Sequence, residues 1–137
     1  MNLESYKLSL ELRIDWSELD IYNHVNNVAF MKYMQSGRVN FWQATNLARY
    51  HTETNKGPML VSTHCDFKKQ LNFPGDIVVK TKITHIGNSS FSLEHIILNE
   101  ANEVCAVGKD VAVCYDFNIG ETFLIPDWLR LKMVAFS

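Results

Sequence analysis

One stretch limits what this chain can fold into more than any other. A polar loop, Glu18-Leu19-Asp20-Ile21-Tyr22-Asn23-His24-Val25-Asn26-Asn27, runs straight into a long apolar-faced segment. There Phe30, Tyr33, Met34, Gly37, Phe41 and Ala44 recur at spacings of three and four, which is one face of an α-helix. From Asn27 to Thr45 the helix is about 28 Å long at ~1.5 Å per residue. A helix of this length with one apolar stripe has to bury that stripe against another layer.

The rest of the chain supplies that layer as strands. Tyr6, Leu8, Leu10, Leu12 and Ile14 alternate with polar residues, predicting a first strand with one buried face. The connection Asn46 to Gly57 is mostly polar, and Gly57-Pro58 ends it. Met59 to Leu71 reads as the second strand, with Met59, Val61, Thr63, Cys65 and Phe67 on one side. Ile77 to Ile86 is the third, with Ile77, Val79, Thr81 and Ile83 on one face; Ser90 to Leu98 is the fourth, with Phe91, Leu93, His95 and Ile97 together. Val104 to about Phe117 is the fifth, with Val107, Val111, Val113 and Tyr115 alternating. Tight turns such as Gly87-Asn88-Ser89 make these last strands antiparallel neighbours. A short helix is expected after Pro126. Gly37 costs about 1 kcal/mol in mid-helix relative to Ala, and close packing of a strand is the usual reason to keep it. The pattern predicts one α+β domain over residues 1–137, five antiparallel strands curled around a single long helix.

Composition excludes several classes. Thirteen Lys and Arg against fifteen Asp and Glu give a net charge of −2, which argues against a nucleic-acid binder. No run approaches the ~20 apolar residues that span a bilayer, so no membrane partner is expected. The N-terminus lacks the uninterrupted apolar core of a signal peptide. Cys65, Cys105 and Cys114 are odd in number and show no C-x-x-C pairing, which fits buried thiols in a reducing cytoplasm.

The loop carries the candidate chemistry. Asp20 lies just before a helix N-terminus, where it can serve as nucleophile or general base, or simply as a capping carboxylate. Glu18 either tunes Asp20 or is a solvated charge. His24 is an acid, base or substrate donor, or a satisfied polar group. Asn26 and Asn27 can present an amide to a developing oxyanion, and capping is their plainer role. Lys68 and Lys69, beside Arg38 or Arg49, can bind the phosphates of a nucleotide-like group. Tyr22, Phe30, Tyr33, Phe41 and Trp42 are candidate pocket liners or plain core. His24, His51, His64, His85 and His95 show no close ligand spacing, so no metal is assigned. There is no G-x-G-x-x-G, P-loop or nucleophile-elbow motif.

Glu18-Leu19-Asp20-x-x-Asn23-His24-Val25-Asn26-Asn27-x-x-Phe30-x-x-Tyr33 resembles the signature of hotdog-fold acyl thioesterases of the 4-hydroxybenzoyl-CoA thioesterase type. It also resembles the corresponding segment of fatty acyl-carrier-protein thioesterases. That signature usually reads D-x-D-x-x-G-H-V-N-N. The likeness extends to Phe67-Lys68-Lys69-Gln70 through Pro74-Gly75-Asp76, and to Val111-Ala112-Val113-Cys114-Tyr115-Asp116 followed by Ile125-Pro126. It implies a hotdog fold, a five-stranded antiparallel sheet wrapped around the helix, and a homodimer or homotetramer with the active site at the subunit interface. By position Asp20 matches the catalytic carboxylate, and Asn27 falls where the helix-terminal amide polarises the thioester carbonyl. His24 joins them as a candidate catalytic group, and Asn26, Tyr33, Lys68 and Lys69 are candidates for substrate binding. The implied reaction is hydrolysis of an acyl-CoA or acyl-carrier-protein thioester without a cofactor. The alternatives are a 3-hydroxyacyl-thioester dehydratase of the same fold or a non-catalytic acyl-thioester-binding module. Two positions depart from the signature: Glu18 replaces the first Asp, and Asn23 replaces the Gly.

Overall fold

A computed structural model describes residues 1–137. The elements are β1 (Leu8–Arg13), α1 (Asn27–Ala44), α2 (Leu47–Thr54), β2 (Lys56–Phe67), β3 (Asp76–Ile86), β4 (Ser90–Leu98), β5 (Val104–Asp116), β6 (Glu121–Thr122) and α3 (Asp127–Val134). Short 3-10 turns at Leu3–Ser5 and Trp16–Glu18 flank β1. The strands form one antiparallel sheet in the order β1-β3-β4-β5-β2, and the two-residue β6 extends it beside the end of β5. β1 and β2 are therefore the long edges. No helix is long and apolar enough to cross a membrane.

The stripe of α1 is buried as the spacing predicts, except at its last member: Ala44, in the final turn, is exposed. Ala29, Phe30, Tyr33, Met34, Gly37 and Phe41 are all buried. Ile77, Val79, Thr81 and Ile83 of β3 lie beneath it, the last three paired across the ladder with Ile97, His95 and Leu93 of β4. Gly37 has the reason expected of it. A Cβ there would lie 2.9 Å from Val79 Cγ1 and 3.0 Å from His95 Nδ1, so only glycine lets the sheet approach this closely. The opposite face of the sheet carries a small second cluster of Tyr6, Ile96 and Leu98, with Leu3, Val78, Val104 and Val107 packed on it. Tyr6 thus precedes β1 and belongs to this cover.

Two expectations are corrected. Residues 46–57 are not a simple connection: α2 occupies 47–54, bracketed by Asn46 and Asn55 in the left-handed region at φ 63° and 57°. Leu47 is fully buried, and Tyr50 packs on Phe123 and Trp128. The helix packs chiefly on β2 and α1, its neighbours in the chain, while Tyr50 reaches the far end. Gly57-Pro58 consequently lies inside β2, which starts at Lys56 and ends at Phe67. Second, β2 carries a register shift between Leu60 and Ser62. The extra residue flips the side-chain parity. Leu60, Thr63, Cys65 and Phe67 pair with Ala112, Asp110, Gly108 and Ala106 and share their helix-facing side, whereas Met59 pairs with Val113 on the other.

The sequence assigns β5 no inward face; its buried side is the one with the smaller residues. Ala106, Gly108, Asp110, Ala112 and Cys114 face the helix, while Val107, Val111, Val113 and Tyr115 are half-buried on the other face. An added Cβ on Gly108 would overlap Met34, so the tight approach of α1 selects small residues on β5 over larger apolar ones.

Candidate active site

The loop before α1 is folded by its own side chains. Leu19 and Val25 form an isolated bridge, and the Asp20 amide donates to the His24 carbonyl at 2.8 Å. Asn23, standing where the signature has glycine, takes φ 62°. Asparagine is among the few residues that tolerate this region. Asp20 Oδ1 accepts from the amides of Tyr22 at 2.8 Å and His24 at 3.2 Å. Its other oxygen, Oδ2, has no partner within the chain, and the side chain is exposed. The His24 ring is half-buried and unpaired. The outcome is a carboxylate held by two backbone donors with one oxygen left to act.

Asn26 caps α1: its Oδ1 accepts from Ala29 N at 2.8 Å. The amides of Asn27 and Val28, at the positive end of the helix, have no acceptor within the chain. An open cleft of about 420 Å³ lies between this terminus and the end of β2. Asp20, His24 and Asn27 line it together with Lys68, Lys69 and Gln70. Tyr22, Val25, Phe30 and Phe67 form its apolar part. Lys68 is exposed, whereas the Lys69 ammonium pairs with Glu103. Seven residues singled out from the sequence thus meet at one place, although the loop before α1 and the end of β2 are distant in the chain.

Other candidates lie elsewhere. Asn26 spends its side-chain oxygen on capping. Tyr33 is buried and donates its hydroxyl to Glu18 Oε1 at 2.7 Å. Burial first, and then the Glu18 carboxylate, push the Tyr33 hydroxyl well above its ordinary pKa. Glu18 itself is neither solvated nor in contact with Asp20. It accepts from the Asp15 amide at 2.8 Å and Lys32 Nζ at 3.3 Å, and its longer arm reaches Tyr33. Asp15 reciprocates by accepting from Ser17, which holds the Asp15 carboxyl below its usual value. Phe41 is fully buried in the core, and Trp42 packs against that core rather than on the cleft. Arg38 and Arg49 do not join the lysines: Arg49 pairs with Glu53 on α2, and Arg38 turns inward. Burial raises the thiols of Cys65 and Cys105, and that of Cys114 to about 11. Gln70 and Phe67 were not picked out as site residues. The available signal was their place at the end of an edge strand beside the two lysines.

A second His–Asp pair lies beneath the middle of α1. His95 Nε2 is 2.6 Å from Asp110 Oδ2, and His95 Nδ1 is 2.8 Å from Thr81 Oγ1. Thr63 donates to Asp110 Oδ1 at 2.7 Å, and Arg38 Nη1 reaches both carboxylate oxygens at 3.2 and 3.1 Å. Burial pushes the Asp110 carboxyl up, but the hydrogen bonds from His95 and Thr63 and the Arg38 charge outweigh it and hold the carboxyl below its ordinary value. Thr81, His95 and Asp110 stand in the order of a nucleophile, base and acid, yet none is more than 1% exposed and none lines the cleft. The chain gathers no group of three or more His, Cys, Asp or Glu fit to hold a metal ion.

Known proteins share this architecture. The PA5185 protein of Pseudomonas aeruginosa superposes with a TM-score of 0.87 and 26% identity, covering 98% of this chain and 94% of its own. A predicted thioesterase from Bacillus stearothermophilus gives a TM-score of 0.86 and 25% identity over 94% of this chain and 95% of its own. In sequence, the long-chain acyl-CoA thioesterase FadM of Escherichia coli is 18% identical over 127 residues, 92% of this chain and 96% of its own. The sequence profile of the thioesterase-like superfamily matches residues 14–133, which include the loop, the helix and all the long strands after it. The chain belongs to the thioesterase-like superfamily and has its hotdog fold.

Proposed function

We propose that this protein hydrolyses an acyl-CoA thioester to a free acid and a thiol. One observation carries the reading: Asp20 and the unpaired amides at the start of α1 border the same cleft. The thioester carbonyl oxygen accepts from the Asn27 amide, with the Val28 amide beside it. The helix terminus stabilises the negative charge that builds there. Asp20 Oδ2 takes a proton from water, and the resulting hydroxide adds to the carbonyl carbon. The tetrahedral intermediate collapses with cleavage of the C–S bond, and the thiolate leaves and picks up a proton. His24 orients the substrate at the edge of the cleft, and Lys68 offers a free ammonium to the phosphates of coenzyme A.

Within the superfamily, the loop motif favours the 4-hydroxybenzoyl-CoA thioesterase type. The working unit is a homodimer, in which a second copy covers the free edge of β2. That edge exposes Val61 at 53%, and an uncovered apolar edge strand invites another chain. A cytoplasmic location suits three thiols that form no disulfide.

The test is release of free thiol from acyl-CoA and acyl-carrier-protein substrates by the wild type and by Asp20→Asn. Loss of a general base lowers turnover by about 10²–10⁴-fold. Undiminished turnover in the variant refutes the role of Asp20. A dehydratase would consume a 3-hydroxyacyl thioester without releasing thiol, and a binding module would turn over nothing.

A further inference from the structure

We propose that Phe67 is the residue that limits the length of the acyl group. The inference rests on the thioesterase reading above. Phe67 is the last residue of β2, lies on its helix-facing side, and is half-exposed at the apolar end of the Asp20 cleft. Its ring stands edge-on to Phe30, with centroids 5.2 Å apart and planes at 89°. Phe30 is buried and backed by Tyr33 and Met34, so the floor of the cleft is closed. Met34 in turn fills the space over Gly108, leaving no route into the core.

The remaining direction runs along β2. Beyond Phe67 the same side of the strand carries Cys65 and then Thr63, half-buried and exposed respectively, beside α1. Phe67 lies between the cleft and this strip in the order of the strand. An acyl group whose carbonyl sits at Asp20 and Asn27 therefore meets Phe67 first. A compact acyl group ends against that ring; a long one has to displace it to continue over Cys65. The parity set by the bulge at residues 60–62 is what aims Phe67 into the cleft, because without the extra residue its side chain would fall on the outer face of the sheet.

The experiment measures kcat/KM for thiol release from benzoyl-, hexanoyl-, lauroyl- and palmitoyl-CoA, using the full chain as wild type, Phe67→Ala and Phe67→Leu. The wild type is expected to favour benzoyl- and hexanoyl-CoA over palmitoyl-CoA. Phe67→Ala is expected to raise the palmitoyl-to-hexanoyl ratio by about tenfold or more, the range that pocket contacts with a few carbons command. Phe67→Leu is expected to shift it in the same direction by less. A wild type that prefers palmitoyl-CoA, or an acyl profile that stays the same in the variants, overturns the inference while leaving hydrolysis intact. If Phe67→Ala does not fold, an unchanged profile in Phe67→Leu decides against it. A wild type that releases no thiol from any of the four overturns the functional reading itself, a different outcome from an unshifted profile.

Discussion

The molecule holds two aspartate–histidine neighbourhoods, and they are opposites. Around Asp20, the histidine ring is unpaired, one carboxylate oxygen is free, and helix amides point into an open cleft. Around Asp110, every oxygen is engaged by His95, Thr63 or Arg38, drawn from three different elements, and the group is sealed. The second has the more catalytic-looking order of side chains and the less catalytic situation. A buried polar network that is fully satisfied rigidifies a fold, and a reactive group needs an unsatisfied valence and a path to substrate. The comparison teaches that accessibility and spare hydrogen-bonding capacity, rather than residue type, separate the two.

The sharpest way to break this contrast is to remove each carboxylate in turn. Asp20→Asn should lose about 10²–10⁴-fold in thiol release, with the thermal midpoint unchanged. Asp110→Ala should do the reverse, losing about 3–5 kcal/mol in urea unfolding because Arg38 and His95 are left beside an uncompensated site. A fall in stability for Asp20→Asn equal to that of Asp110→Ala would dissolve the distinction.

Acid sharpens it further. The folded-state pKa of Asp110 lies below the ordinary value of 3.8. A depressed carboxylate contributes stability that is complete above its unfolded pKa and is lost as pH falls through the lower folded value. Unfolding followed from neutral pH downward should therefore steepen below the ordinary carboxylate value, and Asp110→Asn should flatten that limb. An acid limb equally steep in Asp110→Asn would remove Asp110 from the account.

The smallest effects concern the residues that the sequence offered and the cleft did not accept. Tyr33→Phe and Asn26→Ala should each cost about 1 kcal/mol of stability, through the lost Glu18 bond and the lost helix cap. Neither should change kcat/KM by as much as Asp20→Asn does. A larger catalytic than structural effect in Tyr33→Phe would return it to the substrate.

Much of this was legible in the chain. The stripe of α1, the inward sets of β3 and β4, the role of Gly37 and the cluster of Asp20, His24 and Asn27 follow from local periodicity and short-range motif. Lys68 and Lys69 also reached the cleft. The tail helix after Pro126 formed where expected. What failed to show had a common character. The inward side of β5 is chosen by the approach of Met34, which demands Gly108. Met59 changed face because of one inserted residue. α2 was hidden because its apolar residues are few and Tyr50 finds its aromatic partners, Phe123 and Trp128, far along the chain.

The amino-acid order by itself determined the elements whose causes lie within a few residues: the helix and its asparagine cap, the left-handed turn at Asn23, and an acidic side chain held before a helix terminus. Only the tertiary structure decided which aspartate would be sealed and which would meet a cleft. The fate of Asp110 depends on Arg38, Thr63 and His95, which the chain brings together from α1, β2 and β4. Burial and pairing across such separations are set by packing and register, and a single inserted residue in β2 is enough to reverse them.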